Sequence, residues 1–87
     1  MKLNQYLKTP RFRVRKFNRK NYLFNGEKAY ELNSTALEIY RSIGKGYALE
    51  DILERVGLEI TEETVSYSKD FINFLLENKI IVRVDDN

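Results

Sequence analysis

The sequence predicts an α+β domain, winged helix-turn-helix-like, in which a three-stranded antiparallel meander is followed by three helices. Three observations carry this. Residues 11–15 (RFRVR) alternate cationic and apolar side chains, the period of a half-buried strand. Asn25-Gly26, between two apolar runs, is a hairpin signal. From Asn33 onward the apolar spacing changes to that of helices, interrupted near Gly44–Gly46 and at Gly57.

The elements follow in order. Met1–Pro10 has no clear period and is expected to be a flexible N-terminal arm, closed by Pro10. Residues 11–84 are expected to form a single domain. In its first strand Phe12 and Val14 point inward, while Arg11, Arg13 and Arg15 point outward. Asn18–Asn21 is a polar turn, Tyr22–Phe24 a second strand, and Lys28–Leu32 a third, with Tyr30 and Leu32 inward. Asn33 is a helix N-cap, and Ala36, Ile39, Tyr40 and Ile43 form one buried stripe. A second helix over about Ala48–Val56 buries Leu49, Ile52, Leu53 and Val56. Thr61 caps a third, about Thr61–Asn78, with Glu62 and Glu63 in the first turn, where the helix dipole favours carboxylates. Its core stripe is Ser68, Phe71, Ile72 and Leu75. Lys79–Val84 can add a short terminal strand, and the tail Asp85–Asn87 is expected to fray.

Composition narrows the function. The 87 residues contain neither Cys nor His. Thiolate chemistry is excluded, and zinc sites and His-based acid–base catalysis lose their usual residues. The serines have no His to activate them, and no phosphate-binding glycine loop is present. An enzyme is not expected, nor is a metal or cofactor. No apolar run approaches the roughly 18 residues that span a bilayer, so no membrane association and a cytoplasmic location are expected.

The net charge of +2 hides an asymmetry. Residues 1–28 hold nine Lys/Arg against Glu27 alone, a net +8, while residues 29–87 hold six against twelve acids, a net −6. Such a split hints at a partner surface. One candidate partner is nucleic acid. A winged-helix reader would place its third helix in the major groove, but that helix carries Glu62, Glu63, Asp70 and Glu77 against Lys69 and Lys79. The arginine stripe could instead follow a phosphate backbone, with Phe17 as a stacking group.

Peptide binding is the stronger candidate. The third strand passes straight into its helix cap, so the core fixes its position. If its outer edge is free, an extended peptide can add there and take main-chain hydrogen bonds, with the third helix as the far wall. The alternative is that Ile80–Val84 pairs along this edge and closes it.

The stretches LNSTALEIYRSIGKGYALEDIL (32–53) and TEETVSYSKDFINFLLENKII (61–81) bear on that choice. Leu-Asn enters a helix with Ala36, Ile39 and Tyr40, and a glycine turn leads to Leu49 and Ile52. A long helix with Phe71, Ile72 and Leu75 then ends in the pair Ile80–Ile81. This pattern, over about residues 22–82, resembles the PqqD-like proteins. These are the precursor-peptide recognition elements of ribosomally synthesised, post-translationally modified peptide biosynthesis. The resemblance implies an adaptor that binds the leader of a precursor peptide by strand addition. It would then deliver that peptide to a modifying enzyme, such as a radical S-adenosylmethionine enzyme, a cyclase or a leader peptidase. Carried onto this chain, the strand contacts would be Lys28, Ala29, Tyr30, Glu31 and Leu32, and the helix wall Val65, Ser68, Lys69 and Ile72. Leu32, Ser68 and Ile72 are also readable as plain core. Arg11, Arg13 and Arg15 would either be a solvated face or dock an acidic patch on the modifying enzyme. The chain departs from the family pattern at Ala48, where Ser or Thr usually caps, at Lys79, where Gly is frequent, and at Thr64 and Ser68, more often aliphatic.

Overall fold

Phe12, Leu23, Tyr30 and Leu32 hold one face of a three-stranded antiparallel sheet against three helices in this computed structural model, which describes residues 1–84. The architecture is α+β. The sheet consists of β2 (Arg13–Phe17), β3 (Lys20–Phe24) and β4 (Ala29–Leu32) in that order, and a separate two-stranded ladder pairs β1 (Tyr6–Lys8) with β5 (Ile81–Arg83). The helices are α1 (Ser34–Ser42), α2 (Leu49–Arg55) and α3 (Glu62–Glu77). The expected fraying of Asp85–Asn87 lies outside the described residues.

Local chemistry explains the turns and caps. Asn18 and Arg19 both sit in the left-handed region (φ 50° and 66°) between the paired residues Phe17 and Lys20. Two such residues in a row make the tight loop whose twist matches its strands. At the next turn Gly26 takes φ 97°, and the Asn25 side chain accepts from the amides of Glu27 (2.9 Å) and Lys28 (2.7 Å). Asn33 caps α1 by accepting from Ala36 N–H at 2.8 Å. Thr61 and Thr64 cap α3 reciprocally, each side-chain oxygen accepting from the other's amide. At α2 the missing hydroxyl of Ala48 is partly offset. Leu49 N–H donates to the Met1 carbonyl at 2.8 Å, and Asp51 reaches back to the Ala48 amide at 3.4 Å.

That carbonyl belongs to the segment expected to be a flexible arm, and here the expectation is corrected. Residues 3–8 are docked along their whole length. Leu3 is fully buried and Tyr6 nearly so. Leu3 N–H donates to the Tyr47 carbonyl and Gly44 N–H to the Leu3 carbonyl, both at 2.9 Å. β1 then pairs with β5 in the register Tyr6–Arg83, Leu7–Val82, Lys8–Ile81. The Lys8 ammonium lies 5.0 Å from the centre of the Tyr40 ring and donates to the Arg41 carbonyl. Burial there, with Lys45 and Arg41 nearby, lowers the Lys8 pKa, while burial raises that of the Tyr40 hydroxyl. The physical reason is a single apolar spacing: Leu3 and Tyr6 are three residues apart, joined by a turn of 3₁₀ helix at Leu3–Gln5, and both find a place in the helical core.

A terminal segment docked in this way supports the fold. Leu3→Ala is expected to lower unfolding free energy by about 3 kcal/mol, the usual cost of emptying a buried leucine site. Urea denaturation reads this directly, and a change near zero would return residues 1–8 to the status of an arm.

Candidate functional site

The pairing of β5 with β1 decides the state of β4. The terminal strand is engaged elsewhere, so it does not close the outer edge of the sheet. Asn25 N–H donates to the Lys28 carbonyl at 3.2 Å, which makes these two residues a hydrogen-bonded pair of the hairpin. Such pairs alternate along an antiparallel ladder. With Leu23 opposite Tyr30 and Asn21 opposite Leu32, the main-chain groups of Tyr30 and Leu32 face β3. Those of Ala29 and Glu31 face outward, and no backbone hydrogen bond among the described residues reaches them.

One side of α3 stands against this strand. Tyr30 meets the Phe74 ring edge-on at 5.1 Å, and its hydroxyl lies 3.4 Å from Asn78 Oδ1. Asn33, just past β4, donates from its side-chain amide to the Tyr67 hydroxyl at 2.9 Å. Phe71 stacks beside Phe74 at 6.4 Å, and Phe12 approaches Tyr30 from β2's end at 6.4 Å. Tyr67, Phe71, Phe74 and Asn78 therefore form one row on the helix. Tyr67 is 47% exposed, and Phe71 and Phe74 are half-buried, so the row keeps apolar surface available.

The residues expected as contacts divide into three groups. Lys28, Ala29 and Glu31 are exposed on or beside the β4 edge, with Tyr30 half-buried under it. Leu32, Ser68 and Ile72 are core. Ser68 is 0% exposed and donates to the Thr64 carbonyl at 2.7 Å, so its hydroxyl is satisfied within its own helix. Val65 and Lys69 lie elsewhere. Each is two residues from Tyr67, about 160° around the helix at 3.6 residues per turn. They line a shallow trough with Ile60, Thr61, Ser66 and Asn73. The structure does not bring them to β4; the row Tyr67–Phe71–Phe74 stands there instead.

Arg11, Arg13 and Arg15 border one recess together with Pro10, Phe24, Asn25 and Gly26. Arg13 and Arg15 lie on the outer sheet face, opposite Phe24 and Tyr22. Phe17, 68% exposed, completes an aromatic group there, and Arg15, Phe17, Tyr22, Phe24 and Ala29 surround a mainly apolar concavity of about 400 Å³. Arg11 precedes β2 and also borders a recess with Lys28, Tyr30 and Asn78. Lys20 on the outer face is paired with Glu31 at 3.5 Å. The exposed rings had a sequence signal: Phe17 has the parity of Arg13 and Arg15, and the hairpin register sends Tyr22 and Phe24 to the same side.

No protein-family model, curated protein or solved structure matches the chain. Among the described residues, no group of three His, Cys, Asp or Glu side chains is arranged to hold a metal ion, and no helix is long and apolar enough to cross a membrane.

The placement of the α3 side chains is open to measurement. Phe74→Ala is expected to cost about 2 kcal/mol, because it removes a half-buried ring and leaves Tyr30 without its edge-on neighbour. Lys69→Ala should stay within about 0.5 kcal/mol, as surface substitutions do. Equal urea midpoints for the two variants would mean that the row does not pack on β4.

Proposed function

We propose that this chain is a peptide adaptor of the PqqD-like kind. It binds the leader segment of a ribosomally made precursor peptide as an added strand on β4 and hands it to a modifying enzyme or leader peptidase. The observation that carries this reading is the outer edge of β4, unpaired among the described residues, with the main-chain groups of Ala29 and Glu31 directed outward. An extended peptide takes its register from those groups. Its alternate side chains then fall on the row Tyr67, Phe71 and Phe74, which supplies apolar selectivity. The winged helix-turn-helix assignment belongs to the same proposal and is supported by the order of three strands followed by three helices.

Delivery needs a second surface. In this reading Arg13 and Arg15, with Phe17, Tyr22 and Phe24 between them, dock an acidic and partly apolar surface of the enzyme. A second reading is favoured by the same feature: exposed rings interleaved with arginines on a sheet face can stack the bases of a single strand. The acidic residues of α3 argue against duplex binding in a groove.

Strand addition is tested with the leader of a precursor peptide encoded beside the gene. Ala29→Pro removes an outward N–H without touching the ladder to β3, so the domain should fold while leader affinity falls about tenfold. Lys69→Glu should leave affinity unchanged. Calorimetric titration separates the two, and an unaffected Ala29→Pro variant sinks the β4 assignment.

The outer face is tested with Arg13→Glu/Arg15→Glu. Leader binding is expected to persist while modification of the full precursor slows. A steeply salt-dependent affinity for single-stranded oligonucleotides, abolished by the same pair of changes, would favour the second reading instead.

A further inference from the structure

We propose that the turn end of the β4 edge is an anion subsite, which selects peptides carrying an Asp or Glu next to the segment that pairs with β4. The proposal rests on the strand-addition reading and adds the chemistry of the peptide to it.

Three cations from three separate parts of the chain border one recess at this point. Arg11 precedes β2, Lys28 closes the β3–β4 turn, and Lys79 follows α3. Together with Tyr30, Asn78 and Glu27 they border a recess of about 210 Å³. Two of the three backbones are fixed. Lys28 N–H is held by the Asn25 side chain at 2.7 Å. Lys79 sits at φ 56°, its N–H donates to the Leu76 carbonyl at 3.1 Å, and its carbonyl accepts from the Thr9 hydroxyl at 3.0 Å. Among the described residues none of the three cations is in an ion pair; the pairs present involve the N-terminus with Glu50, Lys20 with Glu31, and Arg41 with Glu38.

Like charges around one recess favour the entry of an anion. Glu27 offsets one of the three charges. A carboxylate fits the remainder: Arg11 can hold it through two parallel N–H donors, and the lysines add point charges. The location gives the recess its meaning. Lys28 is the residue before Ala29, whose main-chain groups face outward, so a strand paired with Ala29 and Glu31 leads one of its ends into the recess. The acid then lies at one fixed end of the peptide, next to the apolar positions read by Tyr67, Phe71 and Phe74.

The probe is a random peptide library, selected in parallel on the wild-type chain and on Arg11→Gln/Lys28→Gln/Lys79→Asn. Asn is chosen at 79 because it tolerates a positive φ. Circular dichroism and the urea midpoint check that the variant folds, and Lys28→Gln alone replaces it if it does not. The wild type is expected to enrich peptides with Asp or Glu at one fixed end, and the variant to lose that enrichment while keeping the apolar positions. For a selected peptide, changing the acid to its amide should weaken binding to the wild type about three- to tenfold and leave binding to the variant unchanged. Binders without acid enrichment, or an equal loss on both proteins, overturn the subsite and leave strand addition standing. If no peptide binds either protein, strand addition itself fails and the subsite goes with it.

Discussion

The ladder between β1 and β5 is the interaction on which the remaining arrangement depends. It joins residues about as far apart as the chain permits, Tyr6 to Arg83 and Lys8 to Ile81. It seats Leu3 and Tyr6 in the helical core and lets the Met1 carbonyl take the Leu49 amide that Ala48 leaves uncapped. It also removes β5 as a partner for β4. A strand has two edges and β5 uses one on β1, away from the three-stranded sheet. The same pairing that completes the core therefore leaves the β4 edge open.

Aromatic contacts then give that edge a wall. Tyr30 lies between Phe12 on the β2 side and Phe74 on α3, and its hydroxyl reaches Asn78. The chain Phe12–Tyr30–Phe74–Phe71 couples the sheet to the last helix through rings rather than through main-chain bonds. Ring contacts of this kind contribute on the order of 1 kcal/mol each beyond their burial. They also set the rotation of α3. With Ser68, Ile72 and Leu75 turned to the other helices, Tyr67, Phe71 and Phe74 are the side chains left next to β4.

Local features were legible in the sequence, and distant pairings were not. The caps at Asn33 and Thr61, the turn at Gly26 and the buried stripe Ala36–Ile39–Tyr40–Ile43 each depend on neighbours a few residues away. Their signals survive in a single sequence. β1 has only three residues, and its partner lies at the other end of the chain, so nothing near it announces a strand. The site shows the same division. Lys28, Ala29 and Glu31 fall at the edge, because alternation along a strand is local. The family resemblance puts the helix wall at Val65, Ser68, Lys69 and Ile72, whereas the side of α3 that meets β4 is fixed by Tyr30 and Asn33, contacts that no periodicity within α3 contains.

An open edge also invites pairing between copies, and this chain blunts it without closing it. β4 has four residues, of which two direct main-chain groups outward, so a second copy gains few hydrogen bonds. Lys28 and Glu31 put charge along the strand, and Lys20 holds Glu31 beside it at 3.5 Å. Short, charged edges of this kind resist self-association. A two-fold dimer through β4 would pair the strands antiparallel, setting Ala29 of one copy against Glu31 of the other over only these few positions. An added peptide would meet the same short edge and differ from a second copy in the side chains it lays on the row Tyr67, Phe71 and Phe74, not in the number of main-chain hydrogen bonds it gains.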